Sequence, residues 1–176
     1  QSQSAYSIIS SDYFIYRQNI EGYNVADLNW GSANAKTVTL SFWAYSSLTG
    51  TFGGALQNGA NNRSYPFSYT ISSANTWTQI SVTIPGDTTG TWATDNSAGV
   101  YLAFDLGDGP SRSTSSLNSW QASSAFAYTS GVKLAATSSA TWQITGVQLE
   151  IGSSATSFDY RPYGTELQLC QRYFWM

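Results

Sequence analysis

The 176-residue chain has room for one well-buried core, and two full domains would be cramped. Seven basic against ten acidic residues, a net charge of −3, leave no electrostatic footprint for nucleic acid or an anionic membrane surface. Charged residues make up only 10% of the chain, against a usual ~25%, and no apolar run approaches the ~20 residues of a membrane-spanning helix.

Ser, Thr, Asn and Gly take the polar positions instead, a composition that suits all-β extracellular or virion proteins better than helical enzymes. The single cysteine, Cys170, excludes an intramolecular disulfide, so packing must hold the fold. No signal peptide is evident. The chain opens with Gln1 rather than Met, and is expected to be a segment of a longer polypeptide.

Hydrophobicity alternates with period two along the chain. A first strand is expected at "DYFIYRQNI". In "KTVTLSFWAY", Val38, Leu40, Phe42 and Ala44 share one face, and Thr37, Thr39, Ser41, Trp43 and Tyr45 share the other. Strands follow at "GTFGGALQN" and "RSYPFSYTI". "TWTQISVTIP" then places Ile80, Val82 and Ile84 inward, with Pro85 closing the strand. "GVYLAFDLG" puts Val100, Leu102, Phe104 and Leu106 together, and "GVKLAAT" reads as a further strand. Turn signals separate them at Asn58-Gly59, between Asp87 and Gly90, at Asp95-Asn96, and between Gly107 and Pro110. Residues 111–127 form a Ser-rich loop, either functional or pinned to the core by Trp120 and Phe126.

Seven or eight short alternating strands imply antiparallel sheets sharing a core, an all-β sandwich. The long loops and the missing Cys pair favour a jelly roll over an immunoglobulin pattern. In "TWQITGVQLEIG", Trp142 and Ile144 have one parity, and Val147, Leu149 and Ile151 the other. One inserted residue, a β-bulge at Thr145-Gly146, lets both sets face the core and leaves Glu150 pointing away. In "GTELQLCQRYFWM", a short helix capped by Thr165 would align Leu167, Cys170 and Phe174, whereas a strand would align Leu167, Leu169 and Tyr173. The sandwich is expected over residues 1–160, with 161–176 as a docking or junction segment of the same domain.

Histidine is absent, which removes Ser-His-Asp and Cys-His arrangements and the commonest metal ligand. Cys170 has no base to activate it. Asp105, Asp108 and Glu150 are the acids from which a glycosidase pair would be drawn, but they read more simply as turn and loop supports. Asp12, Glu21, Asp27 and Asp159 are scattered, so no metal site and no cofactor are expected, although a structural calcium is a smaller question.

Binding remains. Sugars are recognised by aromatic rings stacked on their C–H faces, with amides and hydroxyls fixing the hydroxyl groups. Trp30, Trp92 and Trp120, with Asn118 and Gln121 close by, form a glycan-binding inventory. Trp77 and Trp142 read as packing residues. Trp43 and Tyr45 face outward, where burial under a loop or against a subunit competes with sugar contact. With Leu167, Cys170, Tyr173 and Phe174 they form the expected packing surface.

The stretches "TLSFWAYSSLTGTFGG", "NRSYPFSYTI", "ANTWTQISVTIPGDTTGTW" and "TWQITGVQLEIGSSATSFDYRPYGTELQLCQRYF" together resemble a recurrent domain of bacteriophage tail fibres and related virion appendages. The resemblance spans nearly the whole chain and is strongest from "VQLE" through "LCQRYF". More distantly, "TLSFWAYS", "TWTQISVTIP" and "VQLEIG" resemble the jelly-roll carbohydrate-binding modules of secreted glycosidases. The resemblance implies a non-catalytic virion domain, acting extracellularly on bacterial surface polysaccharide. It also implies self-association as a homotrimer beside other virion proteins, and one or more β-strands upstream of "YFIYRQNIEG". Two other roles stay open: an architectural fibre component with no ligand of its own, and a sugar-binding module of a secreted hydrolase.

Overall fold

Nine strands carry the alternation into three dimensions: β1 (Tyr13–Glu21), β2 (Val38–Ser46), β3 (Gly50–Asn58), β4 (Ser64–Ile71), β5 (Thr78–Ile84), β6 (Ala98–Asp108), β7 (Ser113–Thr114), β8 (Ala127–Tyr128) and β9 (Trp142–Ile151). Among the described residues one α-helix, α1 (Tyr163–Gln171), follows them. This computed structural model describes residues 1–2 and 4–174. β1, β6, β3 and β4 lie side by side in one antiparallel sheet, and β5, β2 and β9 in another. The two-residue β7 and β8 pair in parallel. The result is an all-β sandwich of antiparallel sheets with one short C-terminal helix.

The core is the set that period two selects. Val38, Leu40, Phe42 and Ala44 of β2 and Ile84 of β5 are buried, with Ile80 and Val82 packed beside them. They meet Phe52, Leu56, Phe67, Tyr69, Ile71, Val100, Leu102 and Phe104 from the other sheet. Phe42 stands edge-on to Phe104 and Tyr69, with ring centres 5.1 and 5.2 Å apart. Each such side chain, fully buried, stabilises by about 1.5–3 kcal/mol. Leu106 departs from its expected place: Phe14 pairs with Gly107 and Ile15 with Asp105, so Leu106 sits in a register break and is half-buried.

β9 carries the bulge, one residue beyond the expected pair. Ser41 pairs with Gln148 and Trp43 with Thr145, so Gly146 and Val147 together oppose Phe42. Gly146 has φ +58, the left-handed conformation that such a bulge requires. Trp142, Ile144 and Leu149 reach the core, but Val147 and Ile151 stay exposed. β9 is the edge of its sheet, so inward parity there does not guarantee burial.

The segment "GVKLAAT" is not a strand; Leu134–Ala136 form a 3-10 turn that buries Leu134 alone. The Ser-rich loop proves to be a fastened cover over the outer face of the four-stranded sheet. Phe126 is buried against Ala55 and Ala103 there, and Ile15 packs beside them. With a core on one side and this loop on the other, β3 is buried along most of its length.

α1 follows Pro162 and has no side-chain cap; Thr165 lies within the first turn rather than ahead of it. Leu167, Leu169, Cys170, Tyr173 and Phe174 are all exposed, so the expected apolar stripe faces solvent within this chain. The segment is clasped to the sandwich by Glu21, which accepts from Arg172 at 2.6 Å and from the Tyr173 hydroxyl at 2.7 Å. Trp175 and Met176 of the junction segment lie outside the described residues.

Candidate functional site

The tryptophans expected to meet a glycan mostly meet one another. Trp30, Trp92 and Trp120 form a triangle of edge-to-face contacts with ring centres 4.8, 5.2 and 5.3 Å apart. Each indole N–H is already bonded to a backbone carbonyl: Trp30 to Lys36, Trp92 to Thr89 and Trp120 to Pro85. Trp30, expected among the sugar-contacting residues, is buried in the core. Trp92 and Trp120 are half-buried and pack against the core, and a recess of about 210 Å³ opens beside Trp30 and Trp92.

Asn118 and Gln121 serve the covering loop. Asn118 adopts φ 58 and its backbone N–H donates to Pro66. Gln121 exchanges backbone hydrogen bonds with Ser64, and its side-chain amide donates to Ser116.

The outer face of the three-stranded sheet carries a different aromatic group. A groove of about 550 Å³ is lined by Trp43, Trp77, Thr145, Gly146, Phe158 and Tyr160. Trp77, expected to be a packing residue, is 42% exposed, and Trp43 is 40% exposed. Local structure holds each ring. The Tyr45 ring lies 5.5 Å from Trp77, and its hydroxyl donates to Asn75 Oδ1 at 3.1 Å, tying the turn before β5 to β2. Asn75 sits at φ 57, and its N–H donates to Ser46.

Phe158 and Tyr160 arrive from the segment after β9, stacked edge-on at 5.0 Å. That segment folds back because Glu150 accepts from the Thr156 N–H and hydroxyl, at 2.8 and 2.7 Å, and Gln148 Oε1 accepts from the Asp159 N–H at 2.9 Å. These bonds hold the Glu150 carboxyl below its ordinary range. The groove lining contains no charged side chain. Gln79 and Gln143, paired across the ladder with Trp43 and Tyr45, share the outward face and supply exposed amides. The outward parity of Trp43 was legible in the sequence. The convergence of Trp77 and Phe158 on it was not, because it depends on a turn and on a returning loop.

The acids form no facing pair across a cleft. Asp105 is fully buried, and Lys133 Nζ donates to it at 2.9 Å while the Gly107 N–H donates at 2.7 Å. Asp108 is buried and accepts from the Phe14 N–H at 3.0 Å, while its Oδ2 has no partner. Burial, reinforced by the neighbouring Asp105, pushes the Asp108 carboxyl up to about 8. Glu150 is on the other sheet, holding its loop. Among the described residues no three His, Cys, Asp or Glu side chains gather as a metal-binding group.

Compared with protein-family models, with curated proteins and with solved structures, the chain gives no match.

Proposed function

We propose that this chain is a non-catalytic domain of a bacteriophage tail fibre or comparable virion appendage, and that it attaches the particle to the bacterial surface through a glycan. Under this reading the sandwich is of the jelly-roll type. The observation that carries it is the outer groove of Trp43, Trp77, Phe158 and Tyr160. Four exposed aromatic rings, Phe158 and Tyr160 among them on a hydrogen-bonded loop, offer flat faces for pyranose C–H surfaces, and the exposed amides of Gln79 and Gln143 offer donors and acceptors for hydroxyls. The uncharged lining matches a neutral sugar chain. The three acids with the best sequence credentials are engaged elsewhere: Asp105 in an ion pair, Asp108 with the Phe14 N–H and Glu150 in holding its loop.

The test is a glycan-array screen followed by calorimetric titration with the best-bound saccharide. Saturable binding that Trp43→Ala and Trp77→Ala each weaken about tenfold, in variants that keep the wild-type circular dichroism, is the expected result. Absence of any saturable glycan, or undiminished binding by the double variant, overturns the reading.

The uncovered face of α1 favours a second reading, an architectural module that packs as a trimer with its own copies. Light scattering separates the two. A trimer indifferent to Trp43→Ala supports the architectural role.

A further inference from the structure

On the opposite face of the sandwich, the four-stranded sheet has a hollow of its own. Ala55 and Ala103 pair at its centre, and Phe126 packs over their small side chains. Beside them lies a recess of about 230 Å³, bounded by Arg17 of β1, Gln57 of β3, and Asn61, Arg112 and Ser124 from the turns and covering loop.

Two cations share this small space. Of the chain's seven basic residues, Arg63, Lys133, Arg161 and Arg172 are ion-paired. Among the described residues, Arg17, Arg112 and Lys36 have no carboxylate partner, and the first two border the same recess. Both guanidinium groups are held in place. Arg17 lies 4.2 Å above the centre of the Tyr101 ring. Arg112 donates to the Ser124 hydroxyl at 2.8 Å and sits 5.9 Å from the Tyr13 ring centre. Both cations border one recess, where an oxyanion placed between them would be attracted by each. Asp108, whose carboxyl Arg112 draws downward, is buried and accepts from the Phe14 N–H, and no ion pair joins it to Arg112.

We infer that this recess is an anion site, in which the forked donors of Arg17 and Arg112 grip one carboxylate or phosphate group of a ligand, with Gln57 and Asn61 beside it. Planar guanidinium groups match both oxyanions bidentately. The site is separate from the aromatic groove and does not depend on the glycan reading.

Isothermal titration of the full chain at low salt tests it with three probes: trigalacturonate, its methyl ester, and glycerol phosphate. The expected result is binding of trigalacturonate or glycerol phosphate, whichever carries the matching oxyanion, with no binding of the uncharged ester. Arg17→Gln and Arg112→Gln should each weaken that binding at least tenfold, and Arg17→Lys should recover part of the loss. Arg17 sits exposed on an edge strand, so R17Q keeps the test valid if R112Q loosens the loop. A Trp43→Ala/Trp77→Ala double variant should bind the anion normally even where neutral glycan binding is lost. Three outcomes overturn the inference: neither anion binds at millimolar concentration, the ester binds as well as the acid, or R17Q and R112Q bind like wild type. Anion binding that disappears in the tryptophan double variant also overturns it, by placing the ligand in the groove, and leaves the glycan reading intact.

Discussion

Gly146 and Trp43 are fitted to one another across the β2–β9 ladder. A Cβ at position 146 would stand 3.4 Å from Trp43 Cδ1 and 3.8 Å from Phe158, with the backbone held at φ +58. The bulge glycine therefore lets β9 continue past the parity break and also floors the groove. Gly146→Ala is expected to lose about 1–2 kcal/mol from the left-handed conformation, measured by urea unfolding, since its Cβ would make only ordinary contact with Trp43. The β-branched Gly146→Val should cost more. An unchanged unfolding midpoint in Gly146→Ala would show that the bulge relaxes without cost.

The tryptophan triangle makes the opposite prediction. Trp30 is buried and its N–H is bonded to Lys36, so Trp30→Ala should destabilise by about 3–5 kcal/mol through cavity formation and a lost hydrogen bond. Trp92→Ala and Trp120→Ala, each removing a half-buried ring, should cost less than that. Chemical denaturation reads all three. Loss of glycan binding in Trp92→Ala with full retention of stability would return this corner to the functional role its sequence neighbours suggested.

Strand parity made the sandwich core legible in advance, because side chains that alternate on a half-buried sheet announce their face. Phe42, Val82 and Phe104 belong to that set. The same logic misplaced Val147 and Ile151, since burial depends on sheet order as well as parity, and β9 lies at an edge. "GVKLAAT" has apolar content but forms a 3-10 turn packed against β6, a choice made by tertiary packing. The groove was half legible. Trp43 faces outward by simple alternation, but Phe158 and Tyr160 reach it only because Glu150 and Gln148 bind the returning loop. Hydrogen bonds of that kind leave no periodic trace.

The Glu21 clasp should be sensitive to acid. Hydrogen bonds from Tyr173 and Arg172 hold the Glu21 carboxyl below its ordinary value of 4.5. A lowered carboxylate contributes its stabilisation above the unfolded value, and that contribution disappears as pH falls through the folded value. The C-terminal helix is therefore expected to stay attached at neutral pH and to detach only as pH falls below the ordinary carboxylate range. Hydrogen exchange of residues 163–174 would follow this, and Glu21→Ala should expose them at every pH. Equal protection in wild type and Glu21→Ala would remove the clasp from the account.

Asp108 acts in the reverse sense. Its carboxyl rises from 3.8 to about 8, so between those values the folded chain keeps a proton that the unfolded chain has released. Stability contributed through this group therefore declines as pH rises from about 4 to about 8, and levels off beyond. The charged groups around it are Asp105, which raises it further, and Lys133 and Arg112, which pull it down. Asp108→Asn keeps an acceptor for the Phe14 N–H and cannot ionise. It should match wild type near pH 4 and exceed it increasingly toward pH 8. Parallel stability curves for the two proteins would show that Asp108 ionises normally.

The two aromatic groups can be separated in one experiment. Trp43 and Trp77 are each about two-fifths exposed and occupy the outer face, so removing either should cost little stability compared with Trp30. If their faces bind sugar, each alanine substitution should weaken the complex about tenfold, or ~1.4 kcal/mol, with Phe158→Ala following them because it closes the same groove. Stability and affinity should thus respond to different tryptophans: affinity to the outward pair, stability to the inward triangle. If the face instead packs against a neighbouring copy, the outward substitutions should lower the oligomer mass in light scattering and leave glycan titrations flat. A protein in which Trp43→Ala alters neither affinity nor mass would leave the groove without a role in either reading.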